Sequence, residues 1–133
     1  MKVMKKLLIV DDDYALSFEL EQLFKDEYTV DKSVDGMAAL GKVNAELYDC
    51  VILDVDILGG ADGLQVLKAV KGQERTKKTP VVMLTNSGIE RKQEFIDAGA
   101  DEYLVKGEMN LAELKELVGK FTNTTLATQP EAN

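Results

Sequence analysis

Acidic, hydroxyl and basic side chains stand directly after the short apolar runs of this sequence. Asp11, Asp12 and Asp13 follow residues 7–10, and Asp54 and Asp56 follow residues 51–53. Thr85 follows residues 81–84, and Lys106 follows residues 102–105. If those runs end at one edge of a sheet, the carboxylates there repel one another unless a cation lies among them. An all-oxygen donor set of this kind suits magnesium, with the lysine as a second neutraliser. An aspartate kept ionised beside the ion is a nucleophile toward phosphorus and forms an acyl phosphate. Thr85 and Lys106 are then placed to hold the phosphoryl oxygens. Taken singly, these residues are ordinary: one aspartate caps a helix, and a lone lysine or threonine decorates a surface or a strand end. Three successive aspartates exceed what a cap uses, and the inference rests on the joint placement.

The elements that must position them are legible from periodicity. Residues 7–10, 51–53 and 81–84 are apolar without alternation, which predicts strands covered on both faces. Residues 28–34 alternate, and residues 102–105 form a short run beside acids, so both predict edge strands. Between them lie stretches with helical spacing: Leu16, Leu20, Leu23 and Phe24; Met37, Leu40, Val43 and Leu47; Leu64, Leu67 and Val70; residues 89–98; and Leu111, Leu114, Val118 and Phe121. Asp13, Asp35, Asp62, Ser87 and Asn110 stand at their starts as expected caps. Strand and helix alternating in this way, joined by right-handed crossovers, predict an α/β domain: a parallel sheet with helices on both faces. Ligands of such sheets gather outside the carboxyl ends of the strands, where the acids stand. Residues 1–121 are expected to form this one domain and residues 122–133 a disordered tail.

Composition narrows the function. A chain of 133 residues suits one core. A net charge of −8 argues against nucleic acid and anionic membrane surfaces as partners. The sequence has no histidine, which removes imidazole-based triads and the commonest zinc ligand. Cys50, the sole cysteine, lies in an apolar run and reads as a buried hydrophobe. Near the start, lysines precede an apolar stretch that stops at the aspartates after residue 10, short of the ~7 or more residues of a secretory core. A cytoplasmic, soluble chain is expected.

The runs LLIVDDD at 7–13, DCVILD at 49–54, PVVMLT at 80–85 and GADEYLVK at 99–106 occur in order over nearly the whole chain. With them the sequence resembles the receiver domain of bacterial two-component response regulators, in particular the stand-alone, single-domain type. The resemblance implies a flavodoxin-like receiver fold, a five-stranded parallel sheet ordered 2-1-3-4-5. It implies Asp54 as phosphoacceptor and Asp11 and Asp12 as the acidic pair that, with Asp54 and the main-chain carbonyl of Asp56, holds magnesium. Thr85 and Lys106 match the residues that receive the phosphoryl group. Tyr103 matches an aromatic switch position whose ring turns inward when Thr85 is drawn to the phosphoryl group. The implied partners are a histidine kinase or phosphotransfer protein, and a target protein that reads the face of the fourth helix, fifth strand and fifth helix. Catalysis is limited to the chain's own phosphorylation and dephosphorylation.

Three positions depart from the family pattern: Leu58 before Gly59-Gly60 in a loop one residue longer than usual, Gly107 in place of a proline after Lys106, and Asn86 in place of a small residue after Thr85. They keep a second reading open, a pseudo-receiver that binds a partner without being phosphorylated. A third, a haloacid-dehalogenase-like phosphatase, is suggested by Asp54-Val55-Asp56 after an apolar strand. That family carries its motif on the first strand, whereas here 53 residues precede it. The side chain of Asp56 is expected to project toward an incoming phosphoryl group.

Overall fold

The computed structural model describes residues 4–122. Five strands, β1 (Lys5–Val10), β2 (Tyr28–Ser33), β3 (Cys50–Leu53), β4 (Val81–Thr85) and β5 (Glu102–Val105), form one sheet. All pairings are parallel, in the order β2-β1-β3-β4-β5, as the sequence resemblance implied. The helices are α1 (Tyr14–Phe24), α2 (Gly36–Ala45), α3 (Gly63–Lys71), α4 (Lys92–Asp97) and α5 (Leu111–Phe121), with a 3-10 turn at Ile89–Arg91 before α4.

The absence of alternation in the inner strands has its cause in two cores. Leu8, Val10, Val51, Leu53, Val81 and Met83 face α2, α3 and α4, where Val43, Leu67 and Phe95 meet them. Leu7, Ile9, Cys50, Ile52, Val82 and Leu84 face α1 and α5, where Leu20, Phe24, Leu114 and Val118 meet them. Each fully buried aliphatic side chain contributes about 1.5 to 3 kcal/mol. Burial raises the Cys50 thiol to about 12, as suits a packed hydrophobe. Strands β2 and β5 lie at the two edges, and each has partly solvated positions. Among the described residues, no helix is long and apolar enough to cross a membrane.

Asp13, Asp35, Asp62 and Asn110 accept bonds from amides in the first turns of α1, α2, α3 and α5. Asp62 and Gln65 complete a reciprocal capping box. The fourth crossover differs from expectation: Ser87 caps nothing, the chain enters a 3-10 turn, and α4 is a short helix starting after Arg91. On α2 the buried residues are Gly36, Ala39 and Val43, while Met37, and Leu47 just past the helix end, are exposed. Gly36 and Ala39 let the start of α2 approach closely, which leaves Met37 outward while Leu40 and Val43 pack against the core. The expected tail boundary also shifts. Thr122 is buried, donates to the Val118 carbonyl and meets the Tyr28 hydroxyl at 2.9 Å, so it belongs to the fold. The rest of the expected tail, residues 123–133, lies outside the described residues.

The lengthened loop between β3 and α3 is pinned. The amides of Gly36 and Met37 donate to the carbonyls of Leu58 and Gly59 at 2.8 and 3.1 Å. Gly59 and Gly60 take φ of +89° and +88°, which glycine tolerates and side chains resist. Buried Val55, Ile57 and Ala61 anchor the loop from below, while Leu58 is exposed. At its end Gly63 presses on the strand: a Cβ there would lie 2.4 Å from the Asp54 carbonyl oxygen. Gly63→Ala is therefore expected to destabilise the protein by about 2 kcal/mol through overpacking against backbone. Urea unfolding measures this, and an unchanged midpoint would show that the loop yields freely.

Candidate functional site

The site is assembled where the strand order reverses on either side of β1. Pairing continues one residue past the strand ends: Asp11 N donates to Ser33 O at 3.0 Å, Asp54 N to Val10 O at 2.9 Å, and Lys106 N to Thr85 O at 2.7 Å. Backbone ladders thus fix the side chains that follow β1, β3 and β5 at one edge. Lys106 Nζ lies 2.8 Å from Asp11 Oδ2 and 3.3 Å from Asp54 Oδ2. The other oxygen of each carboxylate accepts an amide, Asp11 Oδ1 from Asp13 N at 2.9 Å and Asp54 Oδ1 from Asp56 N at 3.2 Å.

Asp11 and Asp54 are 2% and 5% exposed, so their charges are felt strongly, while Asp12 is at the surface. Burial, and then the neighbouring Asp11 carboxylate, raises Asp54 to about 6, against the opposing pull of Lys106. For Lys106, burial disfavours the ammonium ion, but its bonds to Asp11 and Asp54 outweigh that and hold its pKa above the usual lysine value. Asp11, Asp12 and Asp54 each offer an oxygen within 4.8 Å of the others. Three carboxylates against one ammonium leave two negative charges, the complement of a divalent ion. Hard oxygen donors of this number leave room for water in an octahedral shell, which fits magnesium.

Thr85 is fully buried at the end of β4, and its Oγ1 accepts from Ser87 N at 3.0 Å. The hydroxyl oxygen is thereby used as an acceptor, which leaves its proton for donation. Tyr103 is buried with its ring centroid 5.8 Å from that of Phe95, and its hydroxyl donates to Gly88 O at 2.8 Å. The ring expected to turn inward already lies inward here, held by the same loop that holds Thr85. The Asp56 carboxylate is exposed and accepts from Ser87 Oγ at 2.7 Å, so the loop after β4 holds its orientation. Asn86 is exposed and, with Phe18, Glu19, Gln22 and Gly107, lines an open depression of about 730 Å³ that reaches Lys106. The peptide bond before Gly107 is trans, as are all those described.

Sequence reasoning missed Ser87. Its position after Thr85 and before Gly88 reads as a cap, and no local pattern announces a partner 31 residues away.

Comparison with known proteins agrees with this fold. The family model described as the response regulator receiver domain matches residues 7–119. The response regulator ArlR of Staphylococcus haemolyticus is 34% identical over 130 residues, covering 96% of this chain and 55% of that protein. The chain thus spans about half the length of the curated relatives it matches. Among solved structures, the chemotaxis response regulator CheY4 of Vibrio cholerae superposes with a TM-score of 0.80 at 33% identity, covering 90% of this chain and 99% of that one. The receiver domain of the Pseudomonas aeruginosa sensor histidine kinase PA1611, a structure with a magnesium ion in its active-site cleft, shares the fold with a TM-score of 0.81 at 23% identity. It covers 91% of this chain and 99% of that one.

Proposed function

Because the chain belongs to the response regulator receiver domain family, we propose that it accepts a phosphoryl group on Asp54 from the phosphohistidine of a histidine kinase or phosphotransfer protein. The single observation that carries this reading is the buried Asp54 carboxylate, which shares one lysine with Asp11 at 3.3 and 2.8 Å. Asp11, Asp12 and Asp54, with the main-chain carbonyl of Asp56, would hold magnesium, which supplies positive charge to the carboxylates and to the transferring oxygens.

In the transfer, a carboxylate oxygen of Asp54 attacks phosphorus as the bond to the donor imidazole nitrogen breaks, and the electron pair leaves with that nitrogen. Lys106 would meet the charge on the equatorial oxygens, and the Thr85 hydroxyl would donate its proton to one of them. The depression beside Lys106 gives a protein donor's side chain an approach from the α1 side. Burial and Asp11 push Asp54 up to about 6 against the pull of Lys106, and above that pH the ionised carboxylate attacks without a separate base.

The phosphorylated surface is read by a target protein on α4, β5 and α5. Thr85 and Tyr103 form the link: Ser87 N bonds to the first and Gly88 O to the second, so a shift of the Thr85 hydroxyl moves the loop that holds the ring. The chain's own catalysis ends with gain and loss of its phosphoryl group. Its partners are proteins of the cytoplasm; the charge of −8 disfavours nucleic acid and anionic membranes.

Intact mass after incubation with acetyl phosphate tests the reading. One phosphoryl group should be gained with magnesium and none with a chelator. No gain in either condition would favour the pseudo-receiver, a module that binds without being modified.

A further inference from the structure

Ser87 sits in the loop after β4 and is bonded on both sides. Its amide donates to Thr85 Oγ1 at 3.0 Å, and its hydroxyl donates to Asp56 Oδ2 at 2.7 Å. The amide of Asp56 donates in turn to Asp54 Oδ1 at 3.2 Å. A continuous run of hydrogen bonds therefore passes from Asp54 through Asp56 and Ser87 to Thr85 and spans the two loops that flank the cleft. Among the described residues, the Ser87 to Asp56 bond is the one side-chain bond between those loops.

Asp56 is exposed, and its carboxylate adds a negative charge beside a cluster that already holds an excess of them. An exposed aspartate side chain is free to turn about two bonds, and its orientation is set by its hydrogen-bond partner. We propose that Ser87 is a positioning residue whose hydroxyl ties the Asp56 carboxylate to the far loop and keeps it out of the cleft. Once released, that carboxylate swings toward the strongest positive charge within reach, a bound magnesium ion. It would then bind the ion more tightly and repel an anionic phosphodonor. The donor arm of this inference rests on the phosphoacceptor reading above, whereas the metal arm needs magnesium alone.

The test is a comparison of Ser87→Ala, Ser87→Thr, Asp56→Asn and the Ser87→Ala, Asp56→Asn pair at low ionic strength, where a single surface charge is least screened. Magnesium affinity is read by calorimetric titration, and the rate of acetyl phosphate labelling at saturating magnesium by intact mass. Ser87→Ala should bind magnesium about threefold more tightly and be labelled about fivefold more slowly, the size of one partly screened charge. Ser87→Thr keeps the hydroxyl and should match the wild type. In the Asp56→Asn background, Ser87→Ala should change neither quantity, because no charge is released. A bond that merely staples the loops would give the same change in both backgrounds, and that result overturns the proposal. Unchanged magnesium affinity in Ser87→Ala overturns it as well. A wild type that binds magnesium but gains no phosphoryl group overturns the phosphoacceptor reading instead, and the metal titration still decides the role of Ser87. A wild type that binds no magnesium overturns both.

Discussion

Replacing Lys106 by methionine should cost the metal-free protein about 3 kcal/mol at pH 8, because it removes the ammonium from two buried carboxylates while keeping most of the packed stem. The Lys106 side chain is 11% exposed, so this is not a surface pair of small consequence. Without it, Asp11 and Asp54 face each other with one amide bond apiece. The cost is self-limiting, since a carboxylate that is too unfavourable takes up a proton. The loss should therefore shrink toward pH 5, where Asp54, already raised to about 6, is largely neutral. Saturating magnesium should narrow the gap, because the variant's two unneutralised carboxylates hold the ion more tightly than the wild type's do, and each tenfold in affinity adds about 1.4 kcal/mol at saturation. Urea unfolding at pH 5 and 8, with chelator and with magnesium, measures all of this. A loss under about 1 kcal/mol that ignores both pH and metal would mean that Lys106 does not hold the carboxylates together.

Asp54→Asn should abolish phosphoryl gain and at the same time stabilise the metal-free protein. The folded-state pKa of about 6 stands above the 3.8 of an unperturbed aspartate, so the folded state binds this proton more tightly than the unfolded chain does. As pH rises from about 4 to about 6, the unfolded chain ionises first and stability is lost; above 6 the loss is complete. Two pH units correspond to about 3 kcal/mol, which water at the cleft mouth reduces to about 1 to 2. Asparagine has no charge to bury and still offers an acceptor to the amide of Asp56. Thermal melts in chelator should show the variant more stable than the wild type at pH 7.5, with the gap closing near pH 4.5. Magnesium should reverse the order, since the wild type alone keeps the full carboxylate set. A variant less stable than the wild type at pH 7.5 in chelator would contradict the raised pKa. A variant that still gains a phosphoryl group would remove Asp54 from the role of acceptor.

The strands and the edge where the acids gather were legible because burial on both faces erases alternation. Leu7 to Val10 reads as a covered strand, and the aspartates after it mark where cover ends. Four of the caps were legible because capping is local: Asp13, Asp35, Asp62 and Asn110 act within three residues of themselves. What depended on distance was not. Ser87 reads as a cap because its partner comes from another crossover. The apolar period of α2 admitted Met37 and Leu47 into its stripe, and only the close approach of Gly36 to the Ala61 carbonyl, 1.8 Å from a notional Cβ, shows which side faces inward. Thr122 looks like the first residue of a polar tail until Tyr28, 94 residues earlier, supplies its hydroxyl.

That last contact bears on how the chain folds as it is made. The face of the sheet covered by α1 is completed by Leu114 and Val118, which arrive with α5, and the hydroxyl pair that ties its end to β2 joins positions 94 residues apart. The opposite face draws on α2, α3 and α4 and has all its fully buried members by Tyr103. A nascent chain emerging from the ribosome can therefore close one side of the sheet while the other still exposes Leu7, Ile9, Cys50 and Ile52 to water. Closure of the second side must wait for α5 to clear the exit tunnel, and Lys106, just before that helix, reaches its two carboxylates in nearly the same moment. Assembly of the cluster of Asp11, Asp54 and Lys106 is in that sense a late event of synthesis, available only once almost the whole domain has emerged.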